Sequence, residues 1–526
     1  MTARRDLLVA LSLANLWFGR LWSEVFHAGN AYVLDVPLED QVPALMLNVL
    51  LLAVVLWLGV TLARGSGRLW AMDVARFGFL LFVLARFHAD ELFSVSHLRW
   101  VGPVVRVGVP LLLAAAAVRK PRIVRACTAL LLIVSPFLLV TFGQGAWRWL
   151  HRSPVPAPAV ASAPLQPGAG TPAPRVLWIT FDGLDKRLAF PERPAGLLLP
   201  EFDRLRAQSA RARNAYSPSG LTLTSLPALI SGRLVAEADA TGASELWLTY
   251  NGSNRRVRWD SQPSLFTRAR ELGVRSALLG WYHPYCRVLA GQASLCMDQA
   301  DPAAKFGLDD SLLGRMHTQF EYTAEEVLRI GRYRPFAARA TLNKVRRRKL
   351  EQHKDFLTAA TKIVADPSFG LVFLHFDLPH PPVIYDRQSG HYVTTEDRSY
   401  LDNLVLTDRV LGDVRRSMEA AGLWESAVVI VSSDHPWRPS VWRDLPQWTA
   451  EDSTVDPGTM DYRVPFLVKM PGQRQSLAYD RELNTVLTHD LVLAILRREV
   501  TSGVQVVGWL DQHRTSGRSH YMQLPD

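Results

Sequence analysis

Residues 42–63 (VPALMLNVLLLAVVLWLGVTLA) run for 22 positions without a charge, enough for a helix to cross a hydrocarbon core of about 30 Å. Residues 126–143 (ACTALLLIVSPFLLVTFG) form a second such candidate. Three further segments are apolar but interrupted: 7–22 by Arg20, 70–89 by Arg76 and Arg86, and 101–118 by Arg106. Because a charge inside a bilayer is costly, each of these is either a span or a buried or interfacial helix.

The charges between the segments set an orientation. Arg4 and Arg5 precede the first, Arg64 and Arg68 follow the second, and Arg119, Lys120, Arg122 and Arg125 precede the last. Residues 23–41 instead carry Glu24, Asp35, Glu39 and Asp40 and no Lys or Arg. Basic residues stay on the cytoplasmic side, so the pattern predicts a multi-pass cell-membrane protein with five spans and a cytoplasmic N-terminus. Everything after residue 150 is then extracytoplasmic. A cleaved signal peptide fits poorly, since more membrane segments follow the first.

This division changes the meaning of the net charge. The chain carries 59 Lys+Arg against 49 Asp+Glu, a surplus of +10 and a pI near 9.6, which raises the question of nucleic acid. Residues 1–150 hold 14 of those cations and 8 of the acids. Most of the surplus is therefore an orientation signal, and nucleic acid is not an expected partner. One basic stretch remains: 332–349 has eight Lys+Arg and no acid. It reads either as a surface for anionic headgroups or as a solvated helix face.

Residues 151–174 are rich in Pro and Ala and read as an extended linker. The expected domains are thus a membrane part (1–150), the linker, and a soluble part (175–526). Cys286 and Cys296 lie ten apart in a polar loop, and in an oxidising compartment they are expected to form a disulfide.

From Arg175 onward, short apolar runs alternate with helical patterns. Strands are predicted at 176–181, 276–279, 371–376, 428–431 and 464–468, and helices at 198–210, 263–272, 340–364, 397–421 and 484–498. Such alternation predicts an α/β domain whose central sheet is mostly parallel and covered by helices on both faces. Chemistry in such sheets collects where strands end.

Three segments fit that expectation. Phe181-Asp182-Gly183 ends the first run and offers a hard carboxylate ligand beside a turn. Ser433-Asp434-His435 ends the fourth and offers an oxygen and a nitrogen to one ion, a mixture suited to zinc or manganese. Between them, SPSGLTLTSLPALISGR at 217–233 places Thr222 at the start of a short helix. There, backbone N–H groups and the helix dipole favour a bound anion. A neighbouring metal would favour the alkoxide. Taken alone, Thr222 would be an N-cap and either carboxylate motif an ordinary turn.

In that order, a strand ending in FDG, a hydroxyl ten residues before a helix-ending glycine, the PHPP at 379–382 and a late SDH resemble the sulfatase and alkaline phosphatase superfamily. The likeness is to its membrane-bound branch of phosphoethanolamine transferases and lipoteichoic acid synthases, and it spans about 175–500. It includes Tyr400-Leu401-Asp402-Asn403, Asp408, Arg463-Val464-Pro465 and THDLVLAIL at 488–496 as scaffold.

The resemblance implies an alkaline-phosphatase-like domain in which Asp182, Thr222, Asp434 and His435 bind one divalent metal. Zinc or manganese is expected, with calcium or magnesium as alternatives. Thr222 would also be the nucleophile, in preference to Thr224 or Ser225, and His380 the acid for the leaving group. His375 reads as buried structure. Asp377, Arg438 and His283 are candidates for holding the substrate.

The implied reaction transfers or hydrolyses a phospho-headgroup. The donor would be a membrane phospholipid or other lipid, and the acceptor a cell-envelope glycan or lipid, or water. A sulfuric ester hydrolase or phosphodiesterase is the alternative within the superfamily. However, sulfatases of this fold use a formylglycine made from Cys or Ser, which Thr222 cannot become. A catalytically inactive binding or scaffold protein is the alternative of another class. Two departures stand out: Pro436-Trp437-Arg438 follows SDH, with no His between 435 and 489, where the transferases have Gly-Glu and a further His, and the first metal carboxylate is Asp182 where theirs is typically Glu. Both point to one metal rather than two.

Overall fold

The apolar runs of the C-terminal half are buried strands whose side chains alternate between two helical layers. The computed structural model describes residues 2–65, 121–152, 174–304, 306–307, 311–328, 335–459 and 461–514. Its strands, in chain order, are β1 (Val176–Asp182), β2 (Ala210–Tyr216), β3 (Val235–Gly242), β4 (Glu245–Tyr250), β5 (Arg256–Arg258), β6 (Ser276–Trp281) and β7 (Leu295–Gln299). They continue with β8 (Leu371–Pro379), β9 (Tyr385–Asp386), β10 (His391–Tyr392), β11 (Val428–Ser433), β12 (Phe466–Lys469) and β13 (Leu477–Asn484).

Eight of these make one sheet in the order β13–β2–β12–β11–β1–β8–β6–β7. Neighbours are parallel except for β12, which runs antiparallel to both β11 and β2. The sheet is therefore mostly parallel, as its sequence pattern predicts. β3, β4 and β5 form a small antiparallel sheet, and β9 and β10 a short hairpin.

The two-residue period sorts the core. Val176 and Trp178 of β1, Phe373 of β8 and Ile430 of β11 pack with Leu226, Leu229 and Ile230 of helix Thr222–Ser231. Leu177, Ile179 and Phe181, with Leu374 and Val431, pack instead with Leu404, Val410 and Leu411 of helix Tyr400–Ala420. Each fully buried side chain of this kind contributes about 1.5–3 kcal/mol. β1 is paired on both edges, Val176 opposite Val428 on one side and Leu371 on the other, so Asp182 emerges at the middle of the sheet.

Strand β2 has no apolar run in its sequence, ARARNAY, and escapes a reading by hydrophobicity. Its alanines face inward and its arginines outward, which suffices because the neighbouring strands supply the bulk. β12 starts two residues later than the predicted strand, because Arg463 and Val464 bond to the end of β2 rather than to β11.

The chain does not divide at a single point. Residues 1–30, 36–154 and 309–335 form one unit, and 31–35, 155–308 and 336–526 the other. Among its described residues the first unit has two helices long and apolar enough to cross a membrane, Leu38–Leu62 and Thr128–Leu150. Leu51, Val55 and Leu62 on one, and Ile133, Leu139 and Trp147 on the other, are exposed, as a helix facing lipid requires.

Two of the five expected spans, 42–63 and 126–143, coincide with these helices. Residues 7–22 fall on two shorter helices, Thr2–Trp17 and Gly19–Phe26. Arg20, which interrupts that segment, pairs with Glu24 at 3.1 Å, and Asn15 accepts hydrogen bonds from Trp22 and Thr141 inside the unit. The segments 70–89 and 101–118 lie outside the described residues.

The basic stretch is in part an internal feature. Arg346 bonds Asp397 at 2.8 Å, Arg348 bonds Asp35 at 2.7 Å, and Lys349 is buried with its Nζ 2.9 Å from the Asp377 carbonyl. Arg347 is exposed. Arg332 and Arg334 lie outside the described residues.

Candidate active site

The C-terminal ends of β1 and β11 and the first turn of helix Thr222–Ser231 converge on one buried point. Gly183, at φ +68°, turns the chain sharply after Asp182, a conformation that glycine adopts without steric cost. Tyr400 locks this turn: its hydroxyl donates to the Gly183 carbonyl at 2.8 Å and accepts from the Asp185 N–H at 2.9 Å. Ser433 ties the two strand ends together, donating to the Phe181 carbonyl and accepting from the Leu184 N–H.

Thr222 is not an N-cap. It is the first residue of its helix, and no side chain caps that end. Its Oγ1 lies 3.1 Å from Asp182 Oδ2, 2.9 Å from Asp434 Oδ2 and 3.2 Å from His435 Nε2. Its rivals are used elsewhere: Thr224 Oγ1 donates to Ser219 Oγ and Ser225 Oγ to the Ser219 carbonyl.

One hydroxyl proton cannot serve three acceptors. His435 Nδ1 lies 2.8 Å from the Pro436 carbonyl and must donate to it, which leaves a lone pair on Nε2. That lone pair is 3.4 Å from Asp182 Oδ1 and 3.6 Å from Asp434 Oδ2. Burial, reinforced by the neighbouring Asp434, pushes the Asp182 carboxyl up to about 7. Burial likewise pushes Asp434 up to about 7 and His435 down to about 4.

His375, buried as its position in an apolar strand suggests, also stands beside this group. It is buried, its Nε2 lies 4.0 Å from Asp182 Oδ2, and its Nδ1 lies 3.0 Å from the Tyr285 hydroxyl. His375 Nε2 and Asp182 Oδ1 are both buried with no hydrogen-bond partner among the described residues. Ligand atoms of Asp182, His375 and Asp434 all fall within 4.8 Å of one another. Two carboxylates, two imidazole nitrogens with lone pairs to offer and a threonine oxygen suit a divalent cation, and the mixed oxygen and nitrogen donors match zinc or manganese.

Around this centre stand the remaining candidates. The His380 ring packs between Trp281 and Trp442, with centroids 5.3 and 5.0 Å away. Burial, then the charges of Lys349, His435 and Arg438, hold its pKa well below the usual value. Arg438 makes no ion pair among the described residues, although its charge is felt by Asp182, Asp434 and His435. Asp377 is engaged by Lys349 at 3.4 Å. Asn403 and Asp408 play scaffold parts: Asn403 bonds the carbonyls of Pro379, His380 and Pro382, and Asp408 accepts from the Phe202 N–H.

His283 is corrected as a substrate contact. It is fully buried, with Nε2 3.0 Å from the Thr222 carbonyl and Nδ1 2.8 Å from the Tyr32 hydroxyl. Both nitrogens are thereby occupied. Cys286 and Cys296 form a disulfide with Cα atoms 5.5 Å apart. It ties the helix after β6 to β7.

A buried group of carboxylates and imidazoles able to hold a cation, beside a helix-terminal hydroxyl at the strand ends of a mostly parallel sheet, is the arrangement of a hydrolase or transferase of α/β fold. The family model for Sulfatase matches residues 174–497, and the chain belongs to that family. A search of curated proteins finds no match. Similar solved structures include a sulfatase from Pseudoalteromonas sp. (16% identity, 62% of this chain and 68% of that chain, TM-score 0.43). Another is the lipoteichoic acid synthase LtaP from Listeria monocytogenes (12% identity, 62% and 72%, TM-score 0.38). A third is murine ectonucleotide pyrophosphatase/phosphodiesterase 5 in an inactive form with AMP (12% identity, 62% and 95%, TM-score 0.35).

Proposed function

We propose that the protein is a membrane-anchored, metal-dependent enzyme that moves a phospho-headgroup from a lipid through Thr222. The observation that carries this reading is the Thr222 hydroxyl, placed within 3.2 Å of Asp182, Asp434 and His435.

Asp182, Asp434, His435 and the Thr222 oxygen would hold the cation, with His375 as a further donor. A bound divalent ion supplies the positive charge that lets a hydroxyl ionise near neutral pH and that steadies charge on non-bridging oxygens. Thr222 Oγ forms a bond to phosphorus while the bond from phosphorus to the lipid alcohol breaks. His380 gives the departing oxygen its proton. The negative charge of the bound substrate works against the burial and neighbouring charges that hold the pKa of His380 down, raising it. Arg438, with no carboxylate partner among the described residues, meets the anionic headgroup.

In the second half, an acceptor hydroxyl attacks the phosphorus, its proton passes to His380, and the bond from phosphorus to Thr222 Oγ breaks, restoring the ionised threonine. A cell-envelope glycan or lipid as acceptor makes the protein a transferase, and water makes it a hydrolase. The two apolar helices support anchoring beside lipid donors, with the catalytic unit extracytoplasmic, where the disulfide is stable.

The test is incubation of the purified, zinc-loaded protein with headgroup-labelled phospholipid, followed by mass spectrometry of the Thr222 peptide. Label on Thr222, absent in Thr222→Ala, is expected. Unlabelled Thr222 together with undiminished turnover in Thr222→Ala would overturn the reading.

A further inference from the structure

The segment 31–35 lies in sequence between helix Gly19–Phe26 and the apolar helix Val42–Gly65, yet it belongs to the unit that holds the active site. It also lies far outside the region that matches the Sulfatase family, 174–497. Tyr32 is 1% exposed. Its hydroxyl is 2.8 Å from His283 Nδ1, and His283 Nε2 is 3.0 Å from the Thr222 carbonyl.

The direction of each hydrogen bond is fixed. A carbonyl only accepts, so His283 carries its proton on Nε2 and donates it to Thr222. Nδ1 is then an acceptor, and the Tyr32 hydroxyl must donate. The Trp259 and Tyr285 rings enclose the imidazole, with centroids 5.2 and 5.4 Å away. Removing the Tyr32 hydroxyl would therefore leave a buried nitrogen without a donor.

The segment is anchored as firmly as its tyrosine. Arg287, next to the disulfide-bonded Cys286, donates to the carbonyls of Tyr32 and Leu34 at 2.9 Å each. Arg348 bonds both oxygens of Asp35 at 2.9 and 2.7 Å. Five residues between two N-terminal helices thus reach, through one imidazole, the backbone of Thr222.

We infer that Tyr32 is a positioning residue for the active-site threonine. By holding His283 in its Nε2–H tautomer, it fixes the Thr222 carbonyl and with it the direction of Oγ1. The inference rests on the reading of Thr222 as nucleophile and metal donor. It adds that the family domain is completed by a residue from outside it.

The test uses full-length protein with 15N-labelled histidine, the His283 signals being assigned by their loss in His283→Gln. The wild type is expected to show an Nε2–H tautomer with a hydrogen-bonded Nδ1. In Tyr32→Phe, the Nδ1 resonance is expected to move to that of an unbonded nitrogen. Zinc affinity, read by competition with a chromophoric chelator, and the rate of Thr222 labelling are each expected to fall about tenfold in the folded protein, with KM for the lipid little changed. Asp35→Asn, which keeps the phenol and loosens its anchor, should give a smaller loss.

A proton on Nδ1, a Tyr32→Phe protein with unchanged zinc affinity and rate, or a loss that only tracks the fraction of folded protein would each overturn the inference. If wild-type Thr222 takes no label, the nucleophile reading fails by itself. The nitrogen resonances and zinc affinity still decide the role of Tyr32.

Discussion

Thr222 Oγ1 lies 2.9 Å from Asp434 Oδ2, across a separation of 212 residues in sequence. Neither residue is unusual in its own segment. Their meeting places a potential nucleophile inside a pair of buried carboxylates. Replacing Thr222 with Ala should lower turnover about 10³-fold or more, while Ser, which keeps the oxygen, should retain measurable activity. Headgroup release from labelled lipid, measured beside zinc content, separates a lost nucleophile from a lost metal site.

Metal binding should depend steeply on pH. Asp182 and Asp434 are pushed up to about 7 from 3.8, so below neutrality protons compete with the cation. Zinc affinity should rise by up to about a hundredfold per pH unit, for two displaced protons, as pH climbs towards 7, and flatten above it. The metal-free protein should behave oppositely. Its folded state holds protons that the unfolded chain has lost between pH 3.8 and about 7. The two carboxyls therefore stabilise the apo fold most below pH 3.8, and that contribution is lost as pH rises through 7. Melting curves with and without chelator from pH 4 to 8 would show the two trends diverging.

His375 should matter to the metal and not to the fold alone. Its buried Nε2 has no hydrogen-bond partner among the described residues, so His375→Gln should weaken zinc binding by about tenfold to a hundredfold. Equal affinities for the variant and the wild type would remove His375 from the donor set.

Arg438 should act on binding. Loss of a charge-assisted hydrogen bond to an anionic group costs about 1.5–3 kcal/mol, so Arg438→Gln is expected to raise KM for an anionic lipid roughly 10- to 100-fold. Zinc content should not change. A fall in kcat at constant KM would place Arg438 in the chemical step instead.

Gly280 tests the packing behind the site. A Cβ at this position would meet the Tyr285 ring at 2.2 Å, and Tyr285 is the partner of His375 Nδ1. Gly280→Ala should destabilise the protein by about 1–3 kcal/mol and lower its zinc affinity. Denaturant titration and chelator competition measure the two effects.

Much of this was legible in the sequence, for physical reasons that differ between segments. Val176–Asp182 and Val428–Ser433 announce themselves because a strand buried on both faces must be continuously apolar, and the polar residues that end such runs mark the strand ends. β2 was hidden, since ARARNAY buries only its small side chains. His375 is buried as its apolar strand suggests, but its place beside Asp182 depends on neighbouring strands and could not be seen from that strand alone. His283, a candidate for holding the substrate, proved to be enclosed by aromatic rings.

The sequence by itself determined the two apolar helices, the α/β alternation and the strand-end carboxylates with their threonine. Each is a local matter of periodicity and chemical type. Only the tertiary structure decided that Asp182, Thr222, His375, Asp434 and His435 share one point, and that Tyr32 reaches Thr222 through His283. Those relationships depend on which strands are neighbours and which loops cross them. Strand order and long-range contacts are set by how the whole sheet packs, and no window of sequence contains them.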